Sequence, residues 1–248
     1  MDDQLEKRLT ELARRSDTRG IPTYTDFLDL SGQTLLNRLR SVLPPVEIRF
    51  WGGADGCERK MACFLPPERE DAVSWPVSCI RILPSGTRFT GKPEHRDVLG
   101  ALMNLGFDRS LLGDIVVRED DFLLFCVDRI TPYITEQLTR VRNTTVRCEV
   151  TDELPEGELF RTRRVRIQVA SDRLDALIAH TFSISRGDAQ SLFSAGKVFL
   201  NGASCVSPDA VPAAEQIVSV RGFGRFRYMG TSSLSKKGKL NVDVDLFV

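Results

Sequence analysis

The chain has 248 residues, 42% hydrophobic and 27% charged, with 34 basic and 34 acidic side chains that cancel. That length holds two or three small domains with their own cores, and the composition is that of an ordinary soluble globular protein. No signal-peptide core or long apolar segment is present, so the expectation is a cytoplasmic protein with no membrane partner.

Charge is unevenly spread. Residues 161–248 carry 13 Lys and Arg against 7 Asp and Glu, a balance of +6, while residues 1–160 carry 21 against 27, a balance of −6. A basic final third on an acidic body points to a polyanionic partner. The six cysteines, at 57, 63, 79, 126, 148 and 205, form no Cys-x-x-Cys pair, and only two histidines accompany them. Structural zinc is therefore not expected, no cofactor is indicated, and cysteines within apolar runs such as FLLFCV read as reduced core residues.

Residues 2–15 read as a polar, exposed helix. A second helix is expected over 33–42, with Leu35, Leu36 and Leu39 on one face and Pro44-Pro45 as its stop. VEIRFW then reads as a strand entering the loop GGADGCERK. Prolines 66, 67 and 76 and the charged run ERED place a boundary near residue 75, closing an N-terminal region over 1–75.

Over 76–152 the pattern is more regular. VSCIRIL reads as a strand and HRDVLGALMNLG as a helix, with Val98, Leu99, Leu102 and Leu105 inward and Gly106 as C-terminal cap. Strands at IVV and FLLFCV flank the turn Glu119-Asp120-Asp121. A helix carrying Ile130, Ile134, Leu138 and Val141 follows, begun by Thr131-Pro132, and TVRCEV is the last strand. The order β-α-β-β-α-β is that of a ferredoxin-like domain, which also houses RNA-recognition modules. Those modules stack bases on sheet aromatics. Here the first strand has no aromatic, and Phe122 and Phe125 face opposite ways by parity, so base stacking on this sheet is not expected.

After the acidic linker TDELPEGE, residues 161–248 form the last domain. Val165, Ile167 and Val169 alternate with Arg164, Arg166 and Gln168. At the far end, Leu240, Val242, Val244, Leu246 and Val248 alternate with Asn241, Asp243 and Asp245. These strands are expected to pair, with Arg164 and Arg166 opposite Asp243 and Asp245, which would take two arginines out of any RNA-binding count. Two short helices lie between. The first is capped by Ser171 or Asp172 and buries Leu174, Leu177, Ile178 and Phe182. The second is capped by Ser185, with Asp188 as box partner, and buries Ala189, Leu192 and Phe193, ending at Gly196 before a short strand and an Asn-Gly turn.

Each helix begins Arg-x-Asp, at Arg173 and Arg186. A cation there opposes the helix dipole, but free N–H groups beside a guanidinium make a phosphate seat; the alternative is a local salt bridge. In QIVSVRGFGRFRYMG, Val218, Val220, Phe226 and Tyr228 form an apolar face. Arg221, Arg225 and Arg227 form a basic row opposite, with Phe223 among them, provided that Gly222 and Gly224 do not break the parity. The loop TSSLSKKGK adds Lys236, Lys237 and Lys239 as phosphate contacts, or is an ordinary solvated hairpin loop.

RLDALIA, ISRGDAQSLFSAGKVFLNG and IVSVRGFGRF, in that order, resemble an S4 RNA-binding domain over about residues 171–228. GGADGCERKMACFLP, HRDVLGALMNLGFDRSLLGDIVV and VRGFGRF with TSSLSKKGK resemble the bacterial YlmH family over most of residues 46–248. The resemblance implies an α+β chain: an N-terminal α/β segment, an RNA-recognition-like middle domain and a C-terminal S4 domain. It also implies association with the large ribosomal subunit and its rRNA, a possible contact to tRNA, and a part in handling stalled nascent chains. The expected RNA contacts are Arg173, Arg186, Lys197, Arg221, Arg225, Arg227, Lys236 and Lys237.

Catalysis is not expected. A pseudouridine synthase-like enzyme is the alternative, but the only Arg-Leu-Asp ends at Asp175 inside the first short helix. Gly222-Phe-Gly224 leads into a strand and is no nucleotide loop, and Lys236-Lys237-Gly238-Lys239 lacks the upstream glycine of a phosphate loop. His95-Arg96-Asp97 reads as helix capping and charge compensation, and Glu58-Arg59 with Gly113-Asp114 as loop-fixing pairs.

Overall fold

Leu9, Leu12, Ala13 and Ser16 recur at helical spacing, and all four are buried on one side of α1 (Asp2–Arg19). The sequence reads this helix as polar and exposed throughout; one stripe of it is core. The stripe packs with Leu36 and Leu39 of α2 (Leu30–Leu39) and with Phe64 of a small sheet. Ser16 Oγ fixes the packing by donating to the Phe64 carbonyl at 2.8 Å. α2 starts three residues before its expected beginning because Asp29 caps it, its carboxylate accepting from the Gly32 N–H at 2.9 Å.

The computed structural model describes residues 2–66, 73–85, 93–154, 159–235 and 238–247. They form an α+β protein that divides into two units, residues 1–159 and 160–248. The first unit contains two sheets. One joins β1 (Thr23–Tyr24), β2 (Glu47–Trp51) and β3 (Met61–Leu65) in the order β1-β3-β2, with β3 buried along its whole length.

The other sheet runs β5-β6-β4-β8-β7, from β4 (Val77–Pro84), β5 (Leu112–Val117), β6 (Phe122–Val127), β7 (Arg140–Val141) and β8 (Thr144–Thr151). Helices α3 (His95–Asn104) and α4 (Thr131–Gln137) interrupt it at the two expected places. Gly106, at φ +86°, ends α3 as the sequence suggests. α4 is shorter than its apolar spacing implies: Leu138 and Val141 are buried, but Val141 belongs to a strand that turns back through Arg142 (φ +52°) to pair with Thr144. The boundary read near residue 75 does not divide the unit, because β6 is buried on both faces. Phe122, Leu124 and Cys126 pack among the helices. Phe125, on the other face, lies so close to Gly53 that a Cβ there would stand 2.3 Å from its ring.

In the second unit a six-stranded antiparallel sheet runs β11-β10-β12-β13-β14-β9. Its strands are β9 (Thr162–Val169), β10 (Val198–Leu200), β11 (Ala203–Ser204), β12 (Ile217–Val220), β13 (Gly224–Leu234) and β14 (Leu240–Phe247). Helices α5 (Leu174–Thr181) and α6 (Arg186–Ser194) bury Leu174, Leu177, Ala189 and Phe193 against Val169, Val218, Phe226 and Val244. β9 and β14 pair in the expected register, Arg164 opposite Asp245 and Arg166 opposite Asp243. Asn201 (φ +47°) and Gly202 (φ +81°) make the expected tight turn between β10 and β11.

Among the described residues no helix is long and apolar enough to cross a membrane. The six cysteines are free thiols, four of them buried. No group of three or more His, Cys, Asp or Glu among the described residues is arranged to hold a metal.

Candidate nucleic-acid interface

The two helix-start arginines converge on one carboxylate. Asp175 is fully buried in the first turn of α5. Arg173 Nε and Nη2 lie 3.3 and 3.4 Å from its two oxygens, and Arg186 Nε and Nη2 lie 3.1 and 3.3 Å away. Gln190 Nε2, one turn into α6, donates to the same carboxylate at 2.9 Å. The guanidinium side chains nevertheless keep 39% and 52% of their surface exposed. The two guanidiniums share this one buried anion, and the Asp209 carboxylate lies near enough to feel the charges of Arg173 and Asp175.

At α5 this corrects the expectation of free backbone N–H groups beside the guanidinium. The α5 cap is Arg173 itself, not Ser171 or Asp172. The N–H groups of Leu174 and Asp175 donate to the carbonyls of Ala210 and Pro208, each at 2.9 Å, so this end is already satisfied by chain. At α6 the expected cap holds: Ser185 Oγ accepts from the Asp188 N–H at 3.0 Å and donates to the Asp188 carboxylate at 2.6 Å. What both helix starts offer is guanidinium edges held in place by a buried acid.

A second basic group lies at the β12–β13 turn. Val218, Val220, Phe226 and Tyr228 are buried as expected. The row on the other face is interrupted, because residues 221–223 form a turn, with Gly222 at φ +91°, and β13 resumes at Gly224 (φ +124°), paired with Val220. Arg225 and Arg227 remain on β13, and Arg221 sits in the turn, its N–H bonded to the Lys197 carbonyl at 2.9 Å. Lys197 is exposed just before β10. Lys236 and Lys237 lie outside the described residues, while Lys239 beside them is exposed.

Aromatic rings hold the strand arginines. The Arg225 guanidinium lies 4.6 Å from the ring centre of Phe160 and 4.4 Å from that of Phe247. Arg227 lies 5.8 Å from Phe247, and Arg221 lies 5.9 Å from Phe199. Phe160, Phe199 and Phe247 did not stand out in the sequence, although the alternation in β14 puts Phe247 on the same face as Asp243 and Asp245. Arg164 and Arg166 are spoken for: each grips its cross-strand aspartate with two hydrogen bonds of 2.5–3.0 Å.

The middle sheet offers a different surface. Leu123, Phe125 and Val127 of β6 are buried on the face away from the helices, so the strand presents no ring to a base there. Asp121 pairs with Arg81 and with Arg118, the latter at 3.2 Å, fixing the edge of that face. The loop GGADGCERK is tied down as its charged pairs suggest. Asp114 accepts from the N–H groups of Glu58 and Arg59 at 2.5 and 3.2 Å, and the Arg59 fork donates to the carbonyls of Leu112, Phe27 and Arg109. Burial and the nearby Arg59 charge bring Arg109 down to about 10, and the His95 imidazole is lowered by burial and then by Arg109. Asp97 completes the capping box of α3, accepting from the Glu94 N–H at 2.8 Å, and Arg96 Nε lies 3.1 Å from the Glu94 carboxylate, the capping and charge compensation expected of this triplet.

A family model described as a putative RNA-binding domain in YlmH matches residues 82–154. Over 230 residues the chain is 31% identical to the ribosome-associated protein quality control protein P2 of Bacillus subtilis (strain 168), covering 88% of this chain and 84% of that one. Among solved structures, the cell division protein YlmH from Streptococcus pneumoniae is similar, with a TM-score of 0.50 and 20% identity across 60% of this chain and 90% of that chain. With this level of identity sustained over most of both lengths, the chain belongs to the YlmH family.

Proposed function

We propose that this protein is a non-catalytic RNA-binding factor that docks on the structured rRNA of the large ribosomal subunit, with tRNA as a further candidate partner, during the handling of stalled nascent chains. The ribosome-associated name of the Bacillus relative and the match to a putative RNA-binding domain support the general role. The S4 resemblance of residues 171–228 supports the second unit as the docking element. The ferredoxin-like reading of the middle domain is supported by its four longer strands in the order β5-β6-β4-β8 with a helix after the first and third in chain order.

The observation that carries the reading is the arginine pair on Asp175. An arginine free to move loses side-chain entropy when it grips a phosphate. Arg173 and Arg186 are already ordered, and each keeps part of its side chain exposed for a phosphate oxygen. Lys197, Arg221, Arg225 and Arg227, together with Lys236 and Lys237, extend the contact, which positions the protein and reads no sequence. Asp175 itself is unsuited to nucleophilic or base chemistry, being buried beneath two arginines and Gln190.

Co-sedimentation with separated ribosomal subunits at several salt concentrations tests this. The wild type is expected on the large subunit, with affinity falling steeply with salt. Lys197→Gln with Arg221→Gln is expected to weaken binding and flatten the salt slope by roughly one per lost phosphate contact. No binding to either subunit or to free rRNA would refute the reading.

A further inference from the structure

Among the described residues Phe223 is the one exposed phenylalanine, with 46% of its surface in solvent. It stands at the end of the β12–β13 turn between two glycines in the left-handed region, and its N–H is bonded back to the Val220 carbonyl at 3.0 Å. Its ring is supported from below: Phe182 lies 5.8 Å away, centre to centre, and packs in turn on buried Phe226 at 5.9 Å. Gly224 is in van der Waals reach of the same support, a Cβ there standing 3.7 Å from Phe182. The aromatic is thus both presented and braced. Arg221 is two residues away, and Lys197 is tied to it by a backbone hydrogen bond of 2.9 Å.

We propose that Phe223 is a stacking platform for one unpaired nucleobase of the bound RNA, with Arg221 and Lys197 on the flanking phosphates. A paired helix offers phosphates but no free base face, whereas a loop or bulge offers both, and a braced ring beside cations suits the second. The second unit then selects RNA with an unpaired nucleotide at the docking point. This rests on the RNA-binding reading above and adds a preference that phosphate contacts alone do not give.

The test compares an RNA hairpin carrying 2-aminopurine at an unpaired loop position with a blunt duplex of the same stem carrying it in a pair. The wild type is expected to bind the hairpin more tightly and to quench its fluorescence. Phe223→Leu keeps an apolar contact with Phe182 but removes the π face. It is expected to lose the quenching and on the order of tenfold in hairpin affinity, with unchanged duplex binding and salt slope. Phe223→Trp is expected to restore both. Equal hairpin affinity and equal quenching in Phe223→Leu and wild type would overturn the platform and leave RNA binding intact. Failure of the wild type to bind either RNA would overturn both.

Discussion

Arg186 and Asp175, eleven residues apart in the chain, meet through two hydrogen bonds of 3.1 and 3.3 Å that tie the start of α6 to the start of α5. Burial pushes the Asp175 carboxyl up, but hydrogen bonds from Arg186 and Gln190, with the charges of Arg186 and Arg173, more than reverse this and hold it below the usual carboxylate range. Asp175→Asn would leave two guanidiniums without their anion. It is expected to lower stability by about 2–3 kcal/mol, read as a shifted denaturant midpoint.

Acid unfolding carries the same signature. Asp243 and Asp245 are also held low, chiefly by the hydrogen bonds from Arg166 and Arg164. A carboxyl whose folded pKa lies below its unfolded value, about 3.9, contributes fully above that value and loses the contribution as pH falls through the folded one. The melting temperature should therefore hold steady from neutrality to about pH 4 with respect to these groups and drop steeply below. Asp175→Asn should drop less steeply there.

His95 gives the first unit a separate dependence at milder pH. Its folded pKa is lowered, so the unfolded chain binds the proton more readily, and stability falls as pH drops below about 6.5. Unfolding curves taken between neutrality and pH 5 are expected to show this loss in the wild type and not in His95→Gln.

Glycine positions separate close approach from open space. Gly53 combines φ +102° with Phe125 at 2.3 Å from any Cβ, so Gly53→Ala is expected to destabilise by about 3 kcal/mol. Gly100 lies inside α3 with no atom within 4 Å of its would-be Cβ, and Gly100→Ala should stabilise by about 0.5–1 kcal/mol. Thermal melts of the two variants check both signs.

The ladder between β9 and β14 can be tested by exchange. Arg166→Asp alone should lower the melting temperature by setting two carboxylates opposite each other at the Asp243 position. Adding Asp243→Arg should recover most of the loss.

This ladder shows what the sequence discloses well. Two strands with strict alternation and opposite charges on their polar faces have one sensible register, and the structure adopts it. The Ser185 cap of α6 and the Asn-Gly turn are also local chemistry, readable from a few neighbours, whereas the starts of α2 and α5 are set by Asp29 and Arg173 and not where the local pattern put them. Less legible was whatever depends on distant packing. α1 looks polar because its core stripe is narrow, only Leu9, Leu12, Ala13 and Ser16 plus fringe residues. Phe125 gave no sign that Gly53, more than seventy residues earlier, would lie against it. In the interface, Arg-x-Asp was visible twice, but only the fold makes Asp175 common to both arginines. Likewise Phe160 and Phe247 flank Arg225 from opposite ends of the unit's sequence.

The pairing of β9 with β14 also bears on the order in which the second unit can form. β9 lies at the sheet edge and has β14 as its one neighbour, and Arg164 reaches Asp245 across 81 residues. On a chain made from its N-terminus, Thr162–Val169 is complete long before Leu240–Phe247 exists. Until then β13 has an open edge, and Val165, Ile167 and Val169 lack their lateral support. Closing a loop of this length adds an entropic hurdle that only the finished ladder offsets. On such a chain β9 finds its lateral partner only once β14 has been made.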